Sequence, residues 1–158
     1  MTSTEHANRR TRSMTDSAFQ SPDAAETAFY AAFAATDLAL MASVWLHADD
    51  ARCVHPGGDL LQGYAAVMQS WHSILSAVEA PTIRFRLIDR LQSDGLCVHM
   101  VEERIGPAGE DSDLTRVLAT NTYLRTDRGW RMVIHHATLP LVDIDSAMPS
   151  AASVATLH

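Results

Sequence analysis

The sequence predicts an α+β domain: three N-terminal helices around one short strand, packed on one face of a curved, mainly antiparallel sheet. Three observations lead there. Before Pro81, apolar residues recur at helical spacing in three separate stretches. From Ile83 onward they alternate with polar residues, the period of a strand. The turn sequences Ser93-Asp94-Gly95 and Asp127-Arg128-Gly129 divide the alternating region into hairpins. Helices gathered in one part of the chain and strands in the other form the α+β pattern.

The first helix carries its own start signal. Ser21 can cap it, Pro22 suits the first helical position, and Asp23 and Glu26 complement the positive end of the dipole. Ala25, Phe29 and Phe33, with Ala32 between, make its apolar stripe. Asp37 caps a second, shorter helix whose inner face is Leu38, Met41, Val44 and Trp45, and Asp49 and Asp50 close the pair. A short strand from Arg52 to His55 is stopped by Pro56-Gly57-Gly58. Gly63 precedes a third helix with Val67, Trp71, Ile74, Leu75 and Val78 on one stripe, and Pro81 ends it. In the first long strand Ile83, Phe85 and Leu87 alternate with Arg84 and Arg86. The next runs from Leu96 to Ile105, a third from Leu114 to Thr126, and the last from Trp130 to Leu139. Residues 1–20 are polar and non-periodic and read as a disordered leader, with Met14 an alternative start. Residues 143–158 read as a disordered Ala/Ser-rich tail, which leaves 21–142 as a single domain.

Composition narrows the function. The chain has 158 residues, 47% apolar and 20% charged, a net charge of -7, eight histidines and no lysine. A chain of this length buries roughly 70% of its unfolded surface, so it needs no staples. Within residues 21–142 there are 9 arginines against 15 acidic residues, so the acidity belongs to the domain and not to its tails. That excess excludes a general nucleic-acid binder, which needs a basic stripe to displace counterions. Cys53 and Cys97 are too few for a disulfide framework and sit in no zinc spacing. No apolar stretch reaches membrane-spanning length, and no apolar segment follows Arg9, Arg10 and Arg12, so the expected location is cytoplasmic with no membrane partner.

Three segments together resemble a known family: AFYAAFAATDLALMASVWLHADDARCVHPGG, GYAAVMQSWHSIL and TNTYLRTDRGWRMVIHHATL. Their order and spacing, from Pro22 to Leu139, look like the NTF2-like superfamily of cone-shaped α+β domains, and within it the SnoaL-like branch. The resemblance implies a conical sheet around an enclosed, largely apolar pocket, a homodimer through the open sheet face, and a small apolar metabolite as ligand. It does not name a reaction, because the fold hosts isomerases, cyclases, dehydratases and non-catalytic association domains. Isomerases and cyclases of this fold use an inward Asp as base. Asp49, Asp50 and Asp59 read as loop residues here, so that base has no counterpart.

Strand phase then selects candidates. On the last strand Trp130, Met132, Ile134 and His136 share one face, and Arg131, Val133 and His135 the other. The first set carries no charge and is expected inside, with His135 outside. On the preceding strand Asn121 and Tyr123 are expected inside. His55, at the end of the first strand, can lean over a cavity mouth. The candidate catalytic residues are therefore His136, His55 and Asn121, with Tyr123, Trp45, Trp71, Trp130 and Met132 as ligand-binding walls. A neutral imidazole can move a proton near pH 7, and an amide or phenol can donate to a developing oxyanion. That suits a metal-independent isomerase, cyclase or dehydratase. The alternative is a non-catalytic homodimeric ligand-sensing or association module in which the same residues only brace the core. Glu102 and Glu103 are adjacent on a strand, so only one faces inward, and phase leaves open which. His99 is likewise undecided. No metal and no cofactor is implied: His135 and His136 cannot face one ion, and no spacing gathers other ligands. Arg84, Arg86 and Arg90 are expected on one solvated or subunit-facing surface.

Overall fold

A computed structural model describes residues 19–141; the remaining leader and the whole 143–158 tail lie outside the described residues. The chain forms α1 (Pro22–Ala34), α2 (Leu38–Val44), β1 (Arg52–Val54), β2 (Leu61–Gln62), α3 (Tyr64–Ala77), β3 (Thr82–Gln92), β4 (Leu96–Gly106), β5 (Thr115–Thr126) and β6 (Gly129–Thr138). The Ser21 hydroxyl accepts from the Ala24 amide at 3.1 Å, and Asp37 accepts from the Leu40 amide at 2.9 Å, so both helix starts are capped. Gly63 opens α3 with φ +85°, a region in which a side chain would be strained, and its amide donates to the Ala51 carbonyl at 2.8 Å. No helix among the described residues is long and apolar enough to cross a membrane.

The six strands are ordered β2-β1-β6-β5-β4-β3. β1 runs parallel to β6, and the other pairings are antiparallel. The two-residue β2 has no signal in the sequence. Between the helices and the inner sheet face lie Phe29, Met41, Val44, Trp45, Val67, Trp71, Tyr123 and Met132, all buried. Phe29 is the hub: its ring meets Trp45, Trp71 and Tyr30 edge-on. Truncating an aromatic residue packed like Trp71 costs roughly 3–5 kcal/mol.

Two β-bulges change which residues face inward. In β6, Tyr123 pairs with Met132 but Thr122 pairs with Ile134, so Val133 is an extra residue. An extra residue reverses the alternation beyond it. His135 is therefore buried opposite Asn121, while His136 is exposed on the outer face opposite Thr120. This corrects the sequence reading for both histidines and for Ile134, which is also outside. In β3, Ile88 is bulged between Leu87 and Asp89, and Arg90 pairs with His99 of the inner set. Arg90 thus leaves the face of Arg84 and Arg86 and forms an ion pair with Asp23 of α1.

Phe19 corrects the domain boundary. It is buried, and its carbonyl accepts from the Trp130 amide at 2.8 Å, so the fold begins ahead of Ser21. Part of the outer sheet face is apolar. Leu91, Met100 and Ile134 are 71%, 43% and 36% exposed, with Val98, Thr120 and Thr122 in the same rows.

The two histidines should respond oppositely to truncation. His135→Ala removes a buried hydrogen-bonded ring and should cost about 2–3 kcal/mol. His136→Ala should stay within about 0.5 kcal/mol, as exposed substitutions do. Urea unfolding midpoints at constant m-value measure both.

Candidate functional site

The inner face of the sheet and α1 hold a cluster of seven buried polar side chains. Glu26 and Tyr30 lie one turn apart on α1, flanking Phe29, and point the same way. β4 contributes His99 and Glu103, β5 contributes Asn121 and Tyr123, and β6 contributes His135. The question left open by strand phase is settled by burial: Glu103 is 2% exposed, whereas Glu102 lies outside and pairs with Arg86, Arg104 and Arg116.

One oxygen organises half of the cluster. Glu26 Oε2 accepts from the Tyr123 hydroxyl at 2.9 Å, from Asn121 Nδ2 at 3.2 Å and from His99 Nδ1 at 2.9 Å. A chain of hydrogen bonds runs through the other half. His135 Nδ1 donates to Asn121 Oδ1 at 2.7 Å, Asn121 Nδ2 donates to the Tyr30 hydroxyl at 3.1 Å, and Tyr30 donates to Glu103 Oε1 at 2.7 Å. A carbonyl oxygen only accepts, so the His135 proton sits on Nδ1 and Nε2 is bare.

Burial sets the electrostatics. It pushes the Glu103 carboxyl up to about 7; the Tyr30 hydrogen bond opposes the rise, and the nearby Glu26 carboxylate adds to it. Burial first, and then the neighbouring His55 and His136, hold the His135 imidazolium down to about 3, so this ring is neutral. Burial raises the Tyr30 and Tyr123 phenols, with nearby carboxylates adding to the effect, so both remain hydrogen-bond donors. Burial and Glu103 push the Cys53 thiol up to about 12, which makes it an inert hydrophobe and not a nucleophile. Among the described residues the indole nitrogens of Trp71 and Trp45 and His99 Nε2 are buried without hydrogen-bond partners, whereas Glu103 is held through Oε1 by the Tyr30 hydroxyl.

The expected site residues divide into several groups. Asn121 and Tyr123 belong to the cluster. Trp71 adjoins it, packed against Phe29, Phe33 and His135. His55 is half-buried beside Trp71, with Nε2 at 2.6 Å from the Ser70 hydroxyl and 3.7 Å from Cys53 Sγ. Burial lowers its pKa. His136 is outside. Met132 packs in the core, where its strand bridges Trp45. Trp130 lines an open cleft of about 550 Å³ with Phe19, Gln92, Asp94 and Asp127. Trp45 borders a smaller one of about 270 Å³ with His47 and Arg128. Neither cleft reaches the polar cluster, so neither is the expected enclosed pocket.

Sequence reading missed Glu26, Tyr30 and His135. Glu26 passed for a surface residue satisfying the helix dipole. The available signal was its spacing, since Glu26 and Tyr30 at i and i+4 run beside the Phe29 stripe. No group of three or more His, Cys, Asp or Glu suited to a metal occurs among the described residues.

Comparison with known proteins agrees with this architecture. The family model of the SnoaL-like domain matches residues 23–142. A crystal structure from Thiobacillus denitrificans, provisionally designated a calcium/calmodulin-dependent protein kinase type II association domain, is 36% identical. The match covers 78% of this chain and 98% of that one, with a TM-score of 0.74. A provisionally designated dehydratase of the NTF2-like family from Streptomyces avermitilis is 30% identical over 75% of this chain and 93% of its own, with a TM-score of 0.66. The F-box protein SKIP8 of Arabidopsis thaliana is 30% identical over 122 residues, 74% of this chain. This chain spans about half, 48%, of that relative's length. With a family model covering the helices, the whole sheet and the buried cluster between them, the chain belongs to the SnoaL-like domain family of the NTF2-like superfamily.

Proposed function

We propose that this domain binds a small molecule against its buried polar cluster and moves a proton on it without metal, in reactions of the isomerase or dehydratase type. One observation carries the reading: Glu103 is a buried carboxyl on the inner sheet face, held through one oxygen by the Tyr30 hydroxyl. A group of this kind is poised to exchange a proton near pH 7. In the proposed step Glu103 takes a proton from carbon next to a carbonyl, leaving an enolate. Returning the proton to another carbon isomerises the substrate; delivering it to a β-hydroxyl expels water. This role replaces the one expected of His136. The edge strand β3 brings Phe85 opposite Glu103, with the Phe85 ring stacked on Tyr30 at 4.1 Å between centroids, and this edge is the proposed entrance.

The apolar outer face favours a second reading that can hold alongside the first: the domain self-associates, as expected of a homodimer through the open sheet face. Unpaired Cys53 and Cys97 fit the cytoplasmic setting proposed for it.

Three measurements test these readings. In D2O the protein should accelerate exchange of the α-protons of 4,4-dimethylcyclohexanone, followed by NMR, and Glu103→Gln should lower the rate at least roughly 100-fold. Equal rates in the two proteins would refute the assignment. Stability supplies the second check. Because the folded-state pKa of Glu103 is raised, its protonated form favours the fold below about pH 4.5, and that contribution is lost as pH rises through about 7. Glu103→Gln should therefore match the parent near pH 4.5 and exceed it at pH 8 by about 1–3 kcal/mol. For assembly, light scattering should give a dimer for the parent and a monomer for Ile134→Arg, with far-UV circular dichroism unchanged.

A further inference from the structure

The outer face of the sheet changes character along its strands. Leu91, Val98, Thr122 and Ile134 form one row of facing residues across β3, β4, β5 and β6. Further toward the β4–β5 turn, Arg84, Arg104 and Arg116 stand directly opposite one another, and all three are exposed. Like charges opposite each other destabilise a sheet, so this row opposes the fold unless anions meet it. Two carboxylates meet part of it. Asp111 pairs with Arg84 at 2.6 Å. Glu102 lies among Arg86, Arg104 and Arg116, at 3.7, 3.4 and 2.7 Å from their nitrogens.

Both charges and donors are left over. Three guanidiniums around one carboxylate leave two positive charges uncompensated, in a protein whose net charge is -7. The hydrogen bond from Arg116 holds the Glu102 carboxyl below its usual range, so its single negative charge is already counted. The other acids of the β4–β5 turn do not alter the balance. Glu110 accepts from Ser112, and neither it nor Asp113 forms an ion pair among the described residues. A guanidinium carries five N–H donors. Arg104 and Arg116 each reach Glu102 through Nε, which leaves their terminal amino groups without a hydrogen bond among the described residues. Arg86 meets Glu102 as an ion pair too long for a hydrogen bond.

We infer that this end of the outer face binds small phosphomonoesters, with Arg86, Arg104 and Arg116 taking the phosphate group and Glu102 holding the three together. Planar guanidinium forks match phosphate oxygens two at a time. The two uncompensated charges equal those of a phosphomonoester dianion. Because the three guanidiniums share one carboxylate, their donors converge on the space of one anion, unlike a stripe built for the spaced phosphates of a nucleic acid. Tethering to Glu102 also lowers the entropy lost when the long side chains close on a ligand. The buried cluster lies on the other side of the sheet, and Glu103 has no part in this site.

The test compares two anions of one shape on the full chain, phenyl phosphate and phenyl sulfate, by NMR titration at low ionic strength. Above its second pKa the phosphate is a dianion, whereas the sulfate carries one charge. Phenyl phosphate should bind at least roughly tenfold more tightly than phenyl sulfate. Arg104→Gln and Arg116→Gln should each weaken phenyl phosphate at least roughly tenfold. Arg125→Gln, which removes an exposed arginine at the other end of β5, should change it less than about twofold. Far-UV circular dichroism and Tm of the first two variants should not fall, since each relieves a like-charge row. Equal affinity for the two anions, equal losses in Arg104→Gln and Arg125→Gln, or no saturable binding of phenyl phosphate would overturn the site. Tighter binding of a capped Gly-phosphoserine-Gly peptide than of phenyl phosphate would assign the face to a phosphorylated protein and overturn the small-molecule reading. If an arginine variant does not fold, the order of the two anions on the parent protein still decides.

Discussion

Three hydrogen bonds converge on a single oxygen, Oε2 of Glu26, and the arrangement of the interior depends on them. A carboxylate withdrawn from water costs several kcal/mol unless its lone pairs are met. Here His99 of β4 and Asn121 and Tyr123 of β5 meet them. These contacts fix α1 against the centre of the sheet in rotation and in height, which the apolar stripe alone would not do: Phe29 could slide against Trp71 at little cost, but a buried acceptor cannot leave its donors. The same contacts orient the Asn121 amide, and through it the rings of His135 and Tyr30.

The placement of Glu103 follows from this. Glu26 uses the donors nearest the sheet centre, so the second carboxyl on the inner face has only the Tyr30 hydroxyl. Burial and the proximity of Glu26 both oppose its ionisation. A sequence optimised for stability alone would place an apolar residue opposite Phe85 and Val117, where Glu103 stands. Local rules broken in this way concentrate at functional sites.

Much of the fold was legible because it rests on periodicity. Ser21, Pro22 and Asp37 mark helix starts, the stripes of α1 and α3 hold except at Val78, which lies past the end of α3 and is exposed, and both hairpin turns lie where Ser93-Asp94-Gly95 and Asp127-Arg128-Gly129 put them. The site was less legible, for two physical reasons. Strand phase propagates errors, so one bulged residue at Val133 exchanged His135 for His136, and nothing in Arg-Met-Val-Ile-His announces a bulge. Helix polarity misleads in the opposite way. Glu26 near an N-terminus satisfies a local rule so well that its burial shows only once the sheet opposite supplies the donors. Asn121 and Tyr123, on a regular stretch of β5, were placed correctly from phase alone.

The bulge at Val133 also bears on how sequence changes in β6 would be absorbed. In the bulged register His135 lies beside Asn121. Were the same residues paired regularly from Met132 onward, Ile134 would take that position and His136 would turn inward opposite Ala119. Adjacent histidines therefore give the strand one inward imidazole in either register, displaced by a single step of the pleat. A shift in pairing here would move the ring toward the Glu103 side of the cluster instead of removing it. An insertion or deletion ahead of these residues would retune the interior without emptying it of imidazole.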